Sequence, residues 1–187
     1  MKRIISYLIA VSSLFSCIKE NPTGADLVVG DVIPDFTVTE SDGTSLNGAQ
    51  LREGVSCIVF FTTLCPDCRA TLPVVQRLYE EYADKGVRFA VISREEGQES
   101  VSSYWQEQGF TMPYSAQSDR AVYELFARSR VPRVYICRDG VIKYIFTDKP
   151  ANPTYEVLRA VLEEMVFLGS GCDRGFDGNR TSEKILV

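Results

Sequence analysis

Apolar residues in the middle of the chain form two continuous runs separated by a stretch with helical spacing. Residues 55–62 and 87–92 are almost entirely apolar and rich in Val, Ile and Phe, which predicts two strands buried on both faces. Between them, apolar residues recur every three or four positions until Gly86, which predicts a helix that ends there. The residues that set this spacing are Leu72, Val75, Leu78, Tyr79 and Tyr82.

Apolar runs and turn residues predict a β-hairpin near the end of the chain. Residues 134–137 and 141–146 are mostly apolar and are separated by Asp139-Gly140, a pair typical of two-residue hairpin turns. The two strands are therefore antiparallel. A smaller hairpin is predicted earlier, around the turn residues Asp42-Gly43.

Three further helices complete the predicted elements. Helical spacing indicates helices over 101–108 and 121–127, and a last helix that begins at Pro153 with Asn152 as its cap. Strands and helices in this order predict an α/β fold. Its central sheet is mixed, and helices cover both faces.

The N-terminus has the pattern of an export signal. Lys2 and Arg3 precede a mostly apolar stretch over 4–15, which is too short for a membrane-spanning helix of about 20 residues. The stretch ends in residues 14–17, Leu-Phe-Ser-Cys, which resembles the lipobox of bacterial lipoproteins and predicts acylation of Cys17. The alternative is an ordinary signal with an incidental cysteine.

These patterns divide the chain into four parts. We expect a lipoprotein signal peptide over 1–16, a tether over 17–26, one domain over 27–168, and a polar, disordered tail over 169–187. The predicted location is the cell envelope or periplasm, anchored to a membrane. In an exported protein, paired cysteines persist as disulfides.

Composition narrows the chemistry. The 187 residues include six cysteines and no histidine, which excludes His-assisted nucleophiles and His metal sites. A net charge of −5 gives no support for nucleic-acid binding. We therefore expect neither a metal nor a cofactor, and cysteine becomes the principal candidate for catalysis.

The candidate catalytic motif is Cys65-Pro66-Asp67-Cys68, which directly follows the first buried run. A helix that begins inside the motif places Cys65 at its N-terminus, where free N–H groups favour a thiolate. Pro66 suits the first helical position because it has no N–H. Cys68, one turn further, is expected to be less exposed and to resolve a mixed disulfide formed by Cys65.

The charge of Asp67 favours a reducing couple. A carboxylate beside Cys65 opposes a negative charge on sulfur, and Arg69 is the candidate to offset it. We therefore expect a dithiol that donates electrons more readily than a strongly oxidising pair does.

With these motifs, residues 25–168 resemble the TlpA/ResA-like thiol–disulfide oxidoreductases of the thioredoxin superfamily. The resemblance rests on Pro34-Asp35-Phe36, the strand into the Cys motif, Pro73 and Val131-Pro132. It implies a thioredoxin fold with an N-terminal hairpin, and a cis peptide bond at Pro132 that seats substrate backbone beside the disulfide. It also implies protein thiols and disulfides as substrates, a membrane redox donor and a monomer.

Three positions depart from the family pattern. Leu64 stands where the family usually has Trp, Thr71 where a Glu is frequent, and Val59 at the place of the buried acid of thioredoxins. The proton acceptor for Cys68 is therefore unassigned.

The other cysteines have separate interpretations. Cys57 and Cys137 lie in strands that this fold places side by side; they are interpreted as buried thiols, with a second disulfide or a redox relay as the alternative. Cys172 lies in the tail and is unassigned.

Two other functions remain open. The first is a lipid-anchored binding module whose chemistry has been lost. The second is a peroxiredoxin, because Thr62 stands three residues before Cys65; that family also needs a Pro where this chain has Ile58.

Overall fold

The computed structural model describes residues 24–149 and 151–167. The predicted signal peptide, most of the tether and the tail, with Cys17 and Cys172, lie outside these residues. The elements follow one another as β1 (Thr37–Thr39), β2 (Ser45–Asn47), α1 (Gly48–Leu51), β3 (Val55–Phe61), α2 (Pro66–Tyr82), β4 (Arg88–Ser93), α3 (Gln98–Gln108), α4 (Ala121–Glu124), β5 (Arg133–Arg138), β6 (Val141–Thr147) and α5 (Tyr155–Phe167).

A four-stranded mixed sheet forms the centre of the fold, as predicted. Its strand order is β4-β3-β5-β6; β3 is parallel to β4 and antiparallel to β5. β1 and β2 form the predicted small antiparallel hairpin. From β3 the chain continues to β4 on one side of it, and after β4 it returns to form β5 on the other side. The end of β3 therefore lies where the order of the strands reverses. Such switch points are where α/β sheets place their functional sites.

Helices cover both faces of the sheet. On one face, Phe61 packs against Trp105 of α3 at 5.1 Å between ring centroids. On the other face, Phe60 packs against Phe126, just beyond α4, at 4.9 Å. α2 and α5 contact each other, and α5 also contacts β3 and β5.

The late hairpin turns at Asp139-Gly140, as predicted. Both residues have positive φ, 49° and 79°, as a two-residue type I′ turn requires. The turn packs on Arg52: a Cβ at position 140 would lie 2.9 Å from the Arg52 Cγ.

Three predicted helices are wrong in their bounds. α3 begins at Gln98 rather than at residue 101. α4 ends at Glu124 rather than at residue 127, and beyond it the Phe126 carbonyl accepts a hydrogen bond from the Leu27 amide at 2.8 Å. α5 begins at Tyr155 rather than at Pro153. Its cap is Thr154, whose hydroxyl accepts the Val157 amide at 3.4 Å.

Within the described residues, none of the helices combines the length and apolarity needed to cross a membrane.

Candidate active site

Cys65 lies at the junction between β3 and α2. All seven residues of β3 are buried, and Pro66 takes the first turn of α2. Cys65 itself is the N-cap, with extended backbone at φ −90° and ψ 123°. The N–H groups of the first helical turn and the helix dipole therefore lie next to the Cys65 side chain.

The two cysteines of the motif differ in exposure, as predicted. The Cys65 side chain is half-buried, whereas Cys68 is completely buried. Both are reduced thiols in this structure. An accessible sulfur above an inaccessible one fits an attacking and a resolving thiol.

The loop before β5 closes over Cys65. The Val131–Pro132 peptide bond is cis, as the resemblance implied. The Cys65 thiol donates a weak hydrogen bond to the Val131 carbonyl, with sulfur and oxygen 3.7 Å apart. The structure thus brings the sequence-predicted residues of two distant segments together around one sulfur atom.

Burial dominates the chemistry of Cys68. It raises the pKa of the Cys68 thiol well above its ordinary value. A hydrogen bond to the backbone of Thr62 opposes this rise, the neighbouring Cys65 adds to it, and the positive charge of Arg94 again lowers the pKa. Cys68 therefore stays protonated until exchange exposes it or its environment changes.

Asp67 is held by a residue that the sequence did not connect to it. The Asn152 side-chain amide donates a hydrogen bond to the Asp67 carboxylate at 2.9 Å. Among residues 24–149 and 151–167, the Asn152 Oδ1 atom is buried and lacks a hydrogen-bond partner. Asn152 therefore ties the β6–α5 loop to the cysteine motif instead of capping α5.

Arg69 does not take the role predicted for it. Its guanidinium donates to the Thr63 carbonyl at 2.8 Å and lies 5.1 Å from the Tyr104 ring centroid. The arginine thus binds the loop before Cys65 rather than the Asp67 carboxylate.

Two residues after β4 belong to the site and were missed. From the sequence alone, residues 93–96 at the end of a strand are interpreted as a solvated loop, at an edge that borders the active site in this fold. Glu96 is nevertheless only 6% exposed and binds Thr62 and Thr63. Arg94 is also largely covered and donates to the Ser129 carbonyl at 3.3 Å. Their position directly after β4, beside the end of β3, was the available signal.

Of the three residues that depart from the family pattern, Leu64 is exposed, whereas Val59 and Thr71 are buried. Leu64 is 83% exposed beside Cys65, an unusual exposure for so large an apolar side chain. Val59 is fully buried. The Thr71 hydroxyl donates to the Asp67 carbonyl at 2.9 Å, so it supports the first turn of α2.

Cys57 and Cys137 are buried free thiols, as the main interpretation predicted. β3 and β5 pair Ser56 with Cys137 and Cys57 with Ile136. Because paired residues share a face and neighbours alternate, the two sulfurs point to opposite faces of the sheet. This register excludes a disulfide between them.

The comparison with protein families settles the membership of this chain. The model of the family described as Redoxin matches residues 28–162. The chain belongs to the Redoxin family.

Within the part of the chain that the structure describes, no cluster of side chains has the composition of a metal site.

Curated relatives and solved structures agree with this membership. The thiol-disulfide oxidoreductase ResA of Oceanobacillus iheyensis is 29% identical over 122 residues, covering 63% of this chain and 64% of that protein. ResA of Geobacillus kaustophilus is 25% identical over 122 residues, covering 65% and 70%. This chain therefore spans slightly less than two thirds of the length of the Oceanobacillus relative.

Solved structures show the thioredoxin fold. A thiol:disulfide interchange protein of the thioredoxin family from Chlorobium tepidum matches with a TM-score of 0.64 at 19% identity, over 76% of this chain and 99% of that one. StoA from Bacillus subtilis matches with a TM-score of 0.59 at 18% identity, over 69% and 96%. The predicted fold class is confirmed.

Proposed function

We propose that this Redoxin-family protein is a thiol–disulfide oxidoreductase that uses Cys65 and Cys68. The observation that supports this most is the pairing of a half-buried Cys65 at a helix N-terminus with a fully buried Cys68 one turn below. A structural disulfide would have no need of an accessible sulfur. The names of the curated relatives point to the same activity.

The reaction is a two-step exchange. The Cys65 thiolate attacks one sulfur of a substrate disulfide, forms a mixed disulfide and releases the other substrate sulfur as a thiolate, which takes up a proton. Cys68 then loses its proton and attacks the Cys65 sulfur. The second substrate thiol leaves, and the Cys65–Cys68 disulfide has taken the place of the substrate's. Two electrons have moved to the substrate.

The substrates we propose are proteins. The Val131 carbonyl oxygen lies 3.7 Å from the Cys65 sulfur. Backbone groups at such a position pair with an extended peptide. The neighbouring Leu64 is exposed and offers an apolar contact. A polypeptide supplies both backbone groups and apolar side chains.

The proposed direction is reduction of the substrate. A couple becomes oxidising when its reduced form is stabilised, chiefly as a thiolate. Here burial raises the pKa of Cys68, and the Asp67 carboxylate opposes negative charge on the neighbouring sulfur. Both effects favour electron donation. Each cycle then requires a second dithiol donor to reduce the protein again.

We also propose export and a lipid anchor. The support is the basic start, the apolar stretch over 4–15, and the sequence that ends in Cys17. An anchored protein would receive its electrons from a redox partner in the same membrane. Labelling with a radioactive fatty acid, with and without Cys17→Ser, tests the anchor.

Trapping tests the two assigned roles. In Cys68→Ser the mixed disulfide cannot be resolved, so it should accumulate when the protein meets a disulfide-bonded substrate such as insulin. Cys65→Ser should trap none and reduce none. Cys57→Ala, which removes a buried thiol outside the site, should behave like the wild type. Equal turnover of Cys65→Ser and the wild type would rule out the proposal.

A further inference from the structure

Glu96 is a buried carboxylate fixed at the carboxyl end of the sheet. It lies three residues beyond the end of β4 and is 6% exposed. Its amide donates to the Gln117 carbonyl at 2.8 Å, and its own carbonyl accepts the Ser93 hydroxyl at 2.6 Å. The backbone of Glu96 is therefore held from two sides, and its side chain has a defined origin.

Both oxygens of this carboxylate accept hydrogen bonds from neighbouring donors. One oxygen accepts the Thr62 hydroxyl at 3.0 Å and the Thr63 amide at 2.6 Å. The other accepts the Thr63 hydroxyl and, at 2.6 Å, the Ser100 hydroxyl of α3. Burial by itself would raise the pKa of Glu96, but the hydrogen bonds from Ser100, Thr63 and Thr62 outweigh it and leave the pKa below its ordinary value.

Of the two threonines that Glu96 holds, Thr62 binds the backbone of Cys65 and Thr63 binds the side chain of Arg69. The Thr62 carbonyl accepts the Cys65 amide at 3.3 Å. The Thr62 backbone also lowers the pKa of the Cys68 thiol, against the larger effect of burial. The Thr63 carbonyl accepts the Arg69 guanidinium at 2.8 Å. Residues 62–63 are thus a short segment that connects the Glu96 carboxylate to the backbone of Cys65 and to the first turn of α2.

We propose that Glu96 is a positioning residue for thiol–disulfide exchange, which holds the Thr62–Thr63 segment so that Cys65 faces the Val131–Pro132 loop. The inference rests on the proposed function of Cys65 and Cys68. A carboxylate suits the task because an ionised acid only accepts hydrogen bonds, so it fixes the orientation of each hydroxyl around it. In disulfide exchange the attacking sulfur must approach one sulfur of the disulfide in the correct orientation, so loss of this fixed geometry slows the reaction.

Glutamine is the conservative replacement at this position. In Glu96→Gln the amide oxygen accepts from Thr62 and the Thr63 amide, while the NH₂ group donates to the Thr63 and Ser100 hydroxyls, which rotate to accept. The glutamine then forms a hydrogen bond with each of the same partners, and only the negative charge is lost. Glu96→Ala removes all of them. Glu99→Ala, which truncates an exposed acid on the first turn of α3, is the matched control.

Three readouts separate positioning from simple support of the fold. These are the rate of insulin reduction, the rate of Cys65 alkylation by iodoacetamide from pH 6 to 9, and the midpoint of urea unfolding. We expect Glu96→Ala, at temperatures where it is folded, to slow insulin reduction about tenfold. Glu96→Gln should regain most of that rate, and Glu99→Ala should match the wild type.

A folded Glu96→Ala that reduces insulin at the wild-type rate, with only its unfolding midpoint lowered, would overturn the proposal. If Glu96→Ala does not fold, Thr63→Val gives the same test, because it removes one of the hydroxyls while keeping the shape of the side chain. Thr63→Val should also slow exchange, and a wild-type rate would overturn the inference. Should Cys65→Ser still reduce insulin, the proposed function itself would fail, which is a different result.

Discussion

At the scale of single residues, Asp67 illustrates how a motif depends on a distant partner. Asp67 lies between the two cysteines, and its carboxylate accepts a hydrogen bond from Asn152, 85 positions further along the chain. The bond fixes where the negative charge lies relative to Cys65. A fixed charge next to the sulfur that we propose as the attacking one affects the stability of the reduced form, and hence the reduction potential.

We expect Asp67→Asn to make the couple less reducing, because the neutral amide no longer opposes a thiolate at Cys65 while it can still accept from Asn152. The interaction between two neighbouring charges at a protein surface is worth up to about 1 kcal/mol, which corresponds to a rise of up to roughly 20 mV for a two-electron couple. Equilibration with glutathione buffers measures it. Asp84→Asn, just beyond the other end of α2, is the control and should not shift the potential. A fall for Asp67→Asn would contradict the role assigned to this charge.

Local patterns in the sequence predicted Cys65 and Cys68 as the candidate cysteines, but not the side chains that bind the segments around them. Cys65, Pro66 and Cys68 follow from a buried strand that runs into a helix, which is information within a few positions. Glu96 and Asn152 act through hydrogen bonds across the fold. A glutamate after a strand and an asparagine before a helix have ordinary local explanations, and these explanations led to the wrong interpretation in both cases.

At the scale of elements, the start of α5 shows how close two capping residues can be in sequence. Asn152 and Thr154 are both good N-cap residues, and the pattern alone favoured Asn152 because Pro153 suits the first helical turn. In the structure Thr154 caps the helix, which leaves the Asn152 side chain available for Asp67. The strands were easier to predict, because continuous apolar runs define their middles, although their ends differ by a residue or two.

Asn152 and Thr154 should therefore have different effects, and substitutions of Thr154 should change stability without changing exchange. We expect Thr154→Ala to lower the free energy of unfolding by about 1 kcal/mol through loss of the cap, and Thr154→Ser to retain it, as urea denaturation would show. Neither variant should change the rate of insulin reduction. If Thr154→Ala slowed exchange as strongly as it lowered stability, the start of α5 would have a part in the site that the hydrogen bonds do not indicate.

At the scale of the whole molecule, the buried thiols link stability to pH. Burial raises the pKa of Cys57 and of Cys68, and that of Cys137 to about 12. In the unfolded chain a cysteine ionises near about 8.5. Below that pH the stabilising contribution of each buried thiol is fully present, and it is lost as pH rises towards the folded value, because only the unfolded state then releases protons.

We therefore expect the free energy of unfolding of the reduced protein to fall between pH 7.5 and 9.5 by about 1.4 kcal/mol for each buried thiol. Urea denaturation in the presence of a reductant measures this fall. In Cys137→Ala the fall should be smaller by about 1.4 kcal/mol, whatever the variant's stability at neutral pH. The same pH dependence in Cys137→Ala and the wild type would show that this thiol does not contribute.

The proposed function requires that Cys65 and Cys68 form a reversible, reducing couple. Its most direct test is the equilibrium reduction potential of the reduced and oxidised chain in thiol redox buffers, with Cys17→Ser to prevent acylation and Cys65→Ser as the control. We predict a potential near about −270 mV, in the range of thioredoxin. A value near about −120 mV would contradict the proposed direction, and the absence of any reversible couple would contradict the assignment of the site itself.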